Sequence, residues 1–297
     1  MQKSNRRTNN EIWTFLALTL GLSSIPYLTI FSSGSIQSGG GLIVLGLMWC
    51  PGLAAIITKL IFDHSLRGLG WGWGKWKYQW LAYALPILYA GAVYAVTWLT
   101  GLGGFSTTAI GDALRAMGFP ATSPLAYTLI FILVSMTVGI LPGAISSLGE
   151  EIGWRGFLVP RLAQKFTFTQ TALISGAIWT LWHIPLILFA DYNNQVPAWW
   201  ALPCFTLMVI FISFPFAWLR LRSGSLWTAV WLHTSHNMII QQILTPLTTD
   251  TGITRYVIDE FGIGLVLTTA LVAYLFYRRR AAVEQPKSLP NSRPLAQ

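Results

Sequence analysis

Three short runs interrupt long apolar stretches with side chains that could do acid–base chemistry. The first is Ser147–Leu162, SLGEEIGWRGFLVPRL. On a helix Glu151 and Arg155 are four apart, share a face and stand in the favourable Glu-before-Arg order. Glu150 lies about 100° further round the helix, where the same arginine cannot serve it equally well. The spacing predicts a division of labour: Arg155 holds Glu151 ionised, and Glu150 is left to face something else, as a general base requires. The plain alternative is a solvated helix end. The second run is Trp179–Pro185, WTLWHIP, with His183 one turn after Trp179 on one face. A histidine here could serve catalysis or simply bond a neighbouring helix. Pro185 after it predicts a local distortion that a wet cavity could accommodate. The third is Leu226–Gln242, LWTAVWLHTSHNMIIQQ, in which His233 and Asn237 project from one face and Gln241 continues the stripe. His236 looks towards a flank of the same face, as a group that packs or bonds a neighbouring helix. This run reads either as a site facing a bundle interior or as a polar packing seam. Together, a carboxylate, an imidazole from a second helix and an imidazole plus an amide from a third can surround a water. That is enough to hydrolyse an amide: one group activates the water, and donors stabilise the oxyanion.

The elements that must position these residues are membrane helices. The 297 residues are 54% hydrophobic, 14% aromatic and 10% charged, whereas soluble domains run near 25% charged. A pair of soluble domains and general disorder are both excluded. A bilayer core takes about 20 apolar residues per helix. Eight stretches meet this: Ile12–Phe31, Gly41–Phe62, Tyr78–Thr100, Leu125–Ser147, Thr171–Ala190, Trp199–Leu219, Leu226–Ile243 and Phe261–Tyr277. The fourth is expected to run on as a polar helical extension ending near Pro160. An ionisable group inside a span costs about 2.5–3.5 kcal/mol on insertion scales, so the three runs are functional candidates by default.

Charge sets the orientation. With the N-terminus inside and eight crossings, only Arg115 and Arg255 of the 19 lysines and arginines fall outside, as the positive-inside rule demands. Both termini are therefore expected to be cytoplasmic. The net charge of +9 is a topology signal, and nucleic acid is not an expected partner. The first span is too long for a signal peptide and lacks a clear A-x-A site after it. The segment Leu66–Lys77, LRGLGWGWGKWK, reads as an interfacial loop. The expected organisation is one all-α transmembrane helical domain over residues 1–280, with its motif core at 125–242, and a disordered cytoplasmic tail over 281–297. Cys50 and Cys204 lie in apolar runs, which argues against a disulfide framework or a zinc knuckle. No internal repeat of the inverted-transporter kind is evident.

The order Glu150-Glu151-x-x-x-Arg155, aromatic-x-x-x-His183, His233-x-x-x-Asn237 resembles the CAAX-protease and bacteriocin-processing family of intramembrane proteases, also called the Abi or type II CAAX prenyl endopeptidase family. The flanks EEIGWRGFLVPRL, LWHIPL and GSLW agree. Trp179 stands where that family usually has Phe. There is no HExxH and no GxSxG, so ordinary zincin and serine-hydrolase readings fail. The resemblance implies that Glu150 with His183 activates the attacking water, that His233 and Asn237 form the oxyanion hole, and that Glu151 and Arg155 hold the helix in place. It implies a membrane protein or a lipidated, prenylated CAAX-type peptide as substrate, met at the lipid bilayer. It implies an integral multi-pass location, which in a bacterium would be the plasma membrane. Glu150, His183 and His233 could ligate zinc or another divalent metal with an open fourth position, or the same atoms could run a metal-free glutamate mechanism. Spacing leaves both open, and His236 is a further candidate to touch the reacting group. A non-catalytic bacteriocin-immunity or membrane scaffold protein is the alternative. A binder has no need of a free Glu150, so the intact set favours the enzyme.

Overall fold

The computed structural model describes residues 2–119, 124–193 and 195–283. Inside hydrocarbon a chain must satisfy its own backbone hydrogen bonds, so apolar segments of this length fold as helices. The first three are α1 (Gln2–Ser33), α2 (Leu42–Asp63) and α3 (Trp76–Leu99). A short helix α4 (Thr108–Ala116), which the hydrophobic pattern does not announce, follows at one end. The span expected over Leu125–Ser147 is two helices, α5 (Pro124–Thr137) and α6 (Ile140–Glu151), bent by 40°. The bend falls at Gly139, whose N–H reaches back to the Val134 carbonyl. A Cβ at Gly139 would stand 2.8 Å from the Ser135 Cα. α6 then runs into a π-helical segment, Ile152–Leu158, and into α7 (Val159–Ala163), so the expected polar extension exists and continues past Pro160.

α8 (Phe168–Phe189) opens on a capping box made by Thr167 and Gln170 and continues as helix through Pro185. α9 (Ala198–Ser223) stops at Gly224, whose φ of 71° supplies a left-handed cap. α10 (Trp227–Asn237) passes directly into a second π-helical segment, Met238–Leu244, and α11 (Ile263–Arg278) closes the bundle. Two-residue strands β1 (Gly104–Phe105) and β2 (Thr248–Thr249) pair antiparallel beside α4. Five helices, α1, α2, α3, α8 and α9, are each long and apolar enough to cross a membrane, and α5 with α6–α7 makes a sixth if the bent pair is one crossing. The result is a polytopic membrane-helix bundle. Its outer face carries exposed Leu20, Ile25, Leu88, Leu133, Leu181 and Leu267, the surface that lipid covers. The tail expected from residue 281 falls on residues 284–297, outside those described, apart from a 3-10 turn over Arg280–Ala282.

Small residues bring the functional helices together, as is usual where lipid offers no hydrophobic drive between helices. A Cβ on Gly52 of α2 would lie 2.4 Å from the Gly149 carbonyl oxygen, and one on Gly153 would lie 2.6 Å from Pro51. The backbone on either side of Glu150-Glu151 is therefore in direct contact with α2. Gly176 of α8 meets the Ile210 Cα of α9 in the same way, at 2.9 Å.

Each end of the bundle is stitched separately. At one end Arg161 bonds Glu11 at 3.0 Å and Asp63 at 3.3 Å, Arg7 pairs with Glu11 and Asp63, and Trp218 donates to the Arg279 carbonyl. At the other end Ser35 and the Ile36 N–H bond Asp191, and Tyr192 bonds Glu260. Cys50 and Cys204 are free and buried.

Candidate active site

The π-helical segment begins one residue after Glu151. Wider turns of this kind recur at functional sites because they re-aim side chains that a regular helix would stack. Glu151 and Arg155, both 0% exposed, meet at 2.9 Å through Oε1 and Nη1. The guanidinium lies between two rings, 4.0 Å from the Trp179 centroid and 3.8 Å from that of Phe216, an arrangement that stabilises a desolvated cation. The same Glu151 Oε1 stands 2.9 Å from His233 Nδ1. Spacing foresaw the pairing with Arg155. It did not foresee that Glu151 also reaches across to α10 and sets the ring of His233.

Glu150, 2% exposed, is not free of partners. Its Oε2 accepts hydrogen bonds from Trp154 Nε1 at 3.1 Å and Trp179 Nε1 at 2.9 Å. Trp179 is thus a hydrogen-bond donor to Glu150, a role phenylalanine cannot fill. His183 Nδ1 lies 3.0 Å from the Trp179 carbonyl. A carbonyl only accepts, so Nδ1 carries the hydrogen and Nε2 keeps its lone pair.

Glu150, His183, His233, His236 and Asn237 all line one cavity of about 250 Å³, with Trp179, Phe216, Tyr192 and Gln241 among the other walls. Liquid water occupies about 30 Å³ per molecule, so the space holds a few waters or a short piece of extended chain. His236 lies on a flank of the same cavity and bonds neighbouring elements, as its spacing suggested. Its Nε2 is 3.0 Å from Glu260 Oε1 and its Nδ1 bonds the Tyr89 hydroxyl. Tyr192 donates to the other Glu260 oxygen.

Sequence reasoning missed Glu260, Tyr192, Tyr89, Trp154 and Phe216. For Glu260 there was a signal: Asp259-Glu260 is an acidic pair at the very edge of an apolar run. The pair divides its charge. Burial, and then the Glu260 carboxylate, push the Asp259 carboxyl up to about 6. Burial opposes the charge on Glu260 as well, but its bond to His236 outweighs this and holds its carboxyl below the usual range.

The donors proposed for a metal each keep an atom open: Glu150 Oε1 and Nε2 of His183 and His233 make no hydrogen bond among the described residues, and a histidine held through Nδ1 is the usual form of a metal ligand. Glu150 Oε2 is taken by two indoles, and Nδ1 of each of His183 and His233 is taken by a neighbour. Among the described residues no three His, Cys, Asp or Glu side chains gather as a metal-holding group.

A model of the type II CAAX prenyl endopeptidase Rce1-like family matches residues 122–239. A CAAX prenyl protease 2 of Methanococcus maripaludis is 27% identical over 132 residues, which cover 42% of this chain and 45% of that protein. The chain is thus matched to less than half the length of that relative. The segment matched by the family model contains Glu150, Glu151, Arg155, His183, His233, His236 and Asn237; it leaves out Tyr89 and Glu260.

Proposed function

We propose, from the premise that this chain belongs through residues 122–239 to the Rce1-like type II CAAX prenyl endopeptidase family, that it hydrolyses a peptide bond of a membrane-anchored or lipidated polypeptide within the helix bundle. The observation that carries this is the convergence of Glu150, His183, His233 and Asn237 on one cavity. The two indoles hold Glu150 Oε2, so Oε1 is the oxygen left for a water. Glu150 takes a proton from that water, with His183 Nε2 as second acceptor, and the hydroxide adds to the scissile carbonyl carbon. The oxyanion that forms is met by the Asn237 amide N–H and by His233 Nε2–H. Because His233 Nδ1 faces the Glu151 carboxylate, an imidazolium balanced by Glu151 supplies that second donor. The proton on Glu150 then passes to the leaving amine, and the C–N bond breaks. Every step of this reading uses the chain's own side chains.

The same reading places eight crossings in the membrane and both termini at the cytoplasmic face. It is supported by the gathering of Arg7, Arg161 and Arg279 at one end of the bundle. The test is cleavage of a quenched peptide library by detergent-purified protein, wild type beside Glu150→Gln. The variant is expected to keep its fold and lose cleavage altogether. Cleavage by Glu150→Gln at the wild-type rate would end the proposal.

A further inference from the structure

We propose that the substrate reaches Glu150 from the non-cytoplasmic end of the bundle, so that the protein acts on polypeptide exposed at or beyond the outer leaflet; this rests on the protease reading and topology above. The cavity has a direction. Glu150, Trp179, Phe216 and His233 line it. Its walls also include Ile36, Gln37 and Gly41 of the α1–α2 connection, Tyr192 of the α8–α9 connection, and Glu260 just before α11. Gln37 is exposed. These three connections share one end of the bundle, where Asp191 bonds Ser35 and the Ile36 N–H and Tyr192 bonds Glu260.

None of the described lining residues comes from the opposite end, neither from the α2–α3 connection nor from the α7–α8 or α9–α10 turns. Below Glu150 stand the Glu151–Arg155 pair, 0% exposed, and the buried Trp154, Phe157 and Leu158. Beyond them Arg220 donates to the Arg155 carbonyl at 2.9 Å and to the Gly68 carbonyl at 3.2 Å, and Leu69 is fully buried. The α2–α3 connection, expected as an interfacial loop, is thus packed over the floor of the site.

Charge says which end is which. The packed end carries the basic helix termini, including Arg161, Arg220 and Arg278. The open end carries Asp191, Asp250, Asp259 and Glu260, with Arg115 and Arg255. Lysine and arginine accumulate on the cytoplasmic side, so the mouth faces away from the cytoplasm. A prenylated tail presented at the cytoplasmic surface would meet the packed floor; an extracytoplasmic segment would meet the mouth.

The experiment separates access from activity. Gln37→Cys and Gln241→Cys are compared with Lys75→Cys, which lies at the packed end, using a membrane-impermeant maleimide on intact cells and on inverted vesicles. The first two are expected to label in intact cells, and Lys75→Cys only in inverted vesicles. Labelling of Gln241→Cys only in inverted vesicles overturns the proposal. Full-length protein is then reconstituted into vesicles, its orientation is read from Lys75→Cys labelling, and a quenched peptide is added outside. Cleavage should scale with the fraction of molecules whose Lys75 end faces the lumen; scaling with the opposite fraction overturns the proposal. Outward labelling with no cleavage from either face upholds the access route and overturns the protease reading instead.

Discussion

Glu151 uses one oxygen for two partners on different helices, Arg155 and His233. Removing it therefore does two kinds of damage. Glu151→Ala strands a fully buried arginine, a loss typically of about 3–5 kcal/mol, and frees the ring of His233. We expect a large fall in melting temperature in detergent and cleavage at least about a hundredfold lower per folded molecule, the magnitude of a lost oxyanion donor. Normal melting with normal cleavage would show that neither contact matters. Trp179→Phe separates packing from hydrogen bonding. Phenylalanine keeps a ring over Arg155 but cannot donate to Glu150. A hydrogen bond to a charged group contributes about 1.5–3 kcal/mol, so turnover should fall at least about tenfold, with KM and thermal stability nearly unchanged. An unaltered kcat would mean that Trp154 alone suffices. His236 has more partners than a single helix contact. As a flanking helix contact it would be worth roughly 0.6 kcal/mol, and its loss would be mild. In the structure it bonds both Tyr89 and Glu260. His236→Ala takes one of two hydrogen-bond partners from the buried Glu260, leaving Tyr192, and we expect a clear loss of folded protein, measured by melting and expression level.

At the scale of elements, the position of the carboxylates is set by backbone contact. Gly52, Gly149 and Gly153 let α2 lie directly on the α6–π–α7 helix. Gly52→Ala would drive a methyl into the Gly149 carbonyl one residue before Glu150. Overpacking of this kind costs about 1–3 kcal/mol, and here the strain falls on the catalytic segment. Melting temperature and cleavage should drop together, whereas Gly46→Ala on the same helix, where a Cβ meets open space, should be close to wild type. The Glu–Arg pairing and the His–Asn face follow from helical period alone and were legible in the sequence. The π-helical segments Ile152–Leu158 and Met238–Leu244 and the 40° bend at Gly139 were not. They depend on which neighbouring backbone crowds each turn, and no local spacing encodes that.

For the molecule as a whole, the metal question has a direct measurement. Protein purified without chelator, then treated with a tight one, is expected to keep its cleavage activity and to carry well under one equivalent of zinc. Loss of activity on chelation, with recovery on adding zinc and about one equivalent bound, would reverse that expectation.

The sequence by itself determined that this is a multi-span membrane protein, which end of it is basic, and which three helical runs carry the side chains that line the cavity. Those properties reside in composition and in the 3.6-residue period, and both are local. Only the tertiary structure decided that Glu150 is held by two indoles, that Glu151 reaches His233, and that Glu260 and the α1–α2 connection join the cavity from outside the motifs. Each of those depends on contacts between residues far apart in the chain. Burial makes such partners obligatory, but it does not reveal from sequence which ones are chosen.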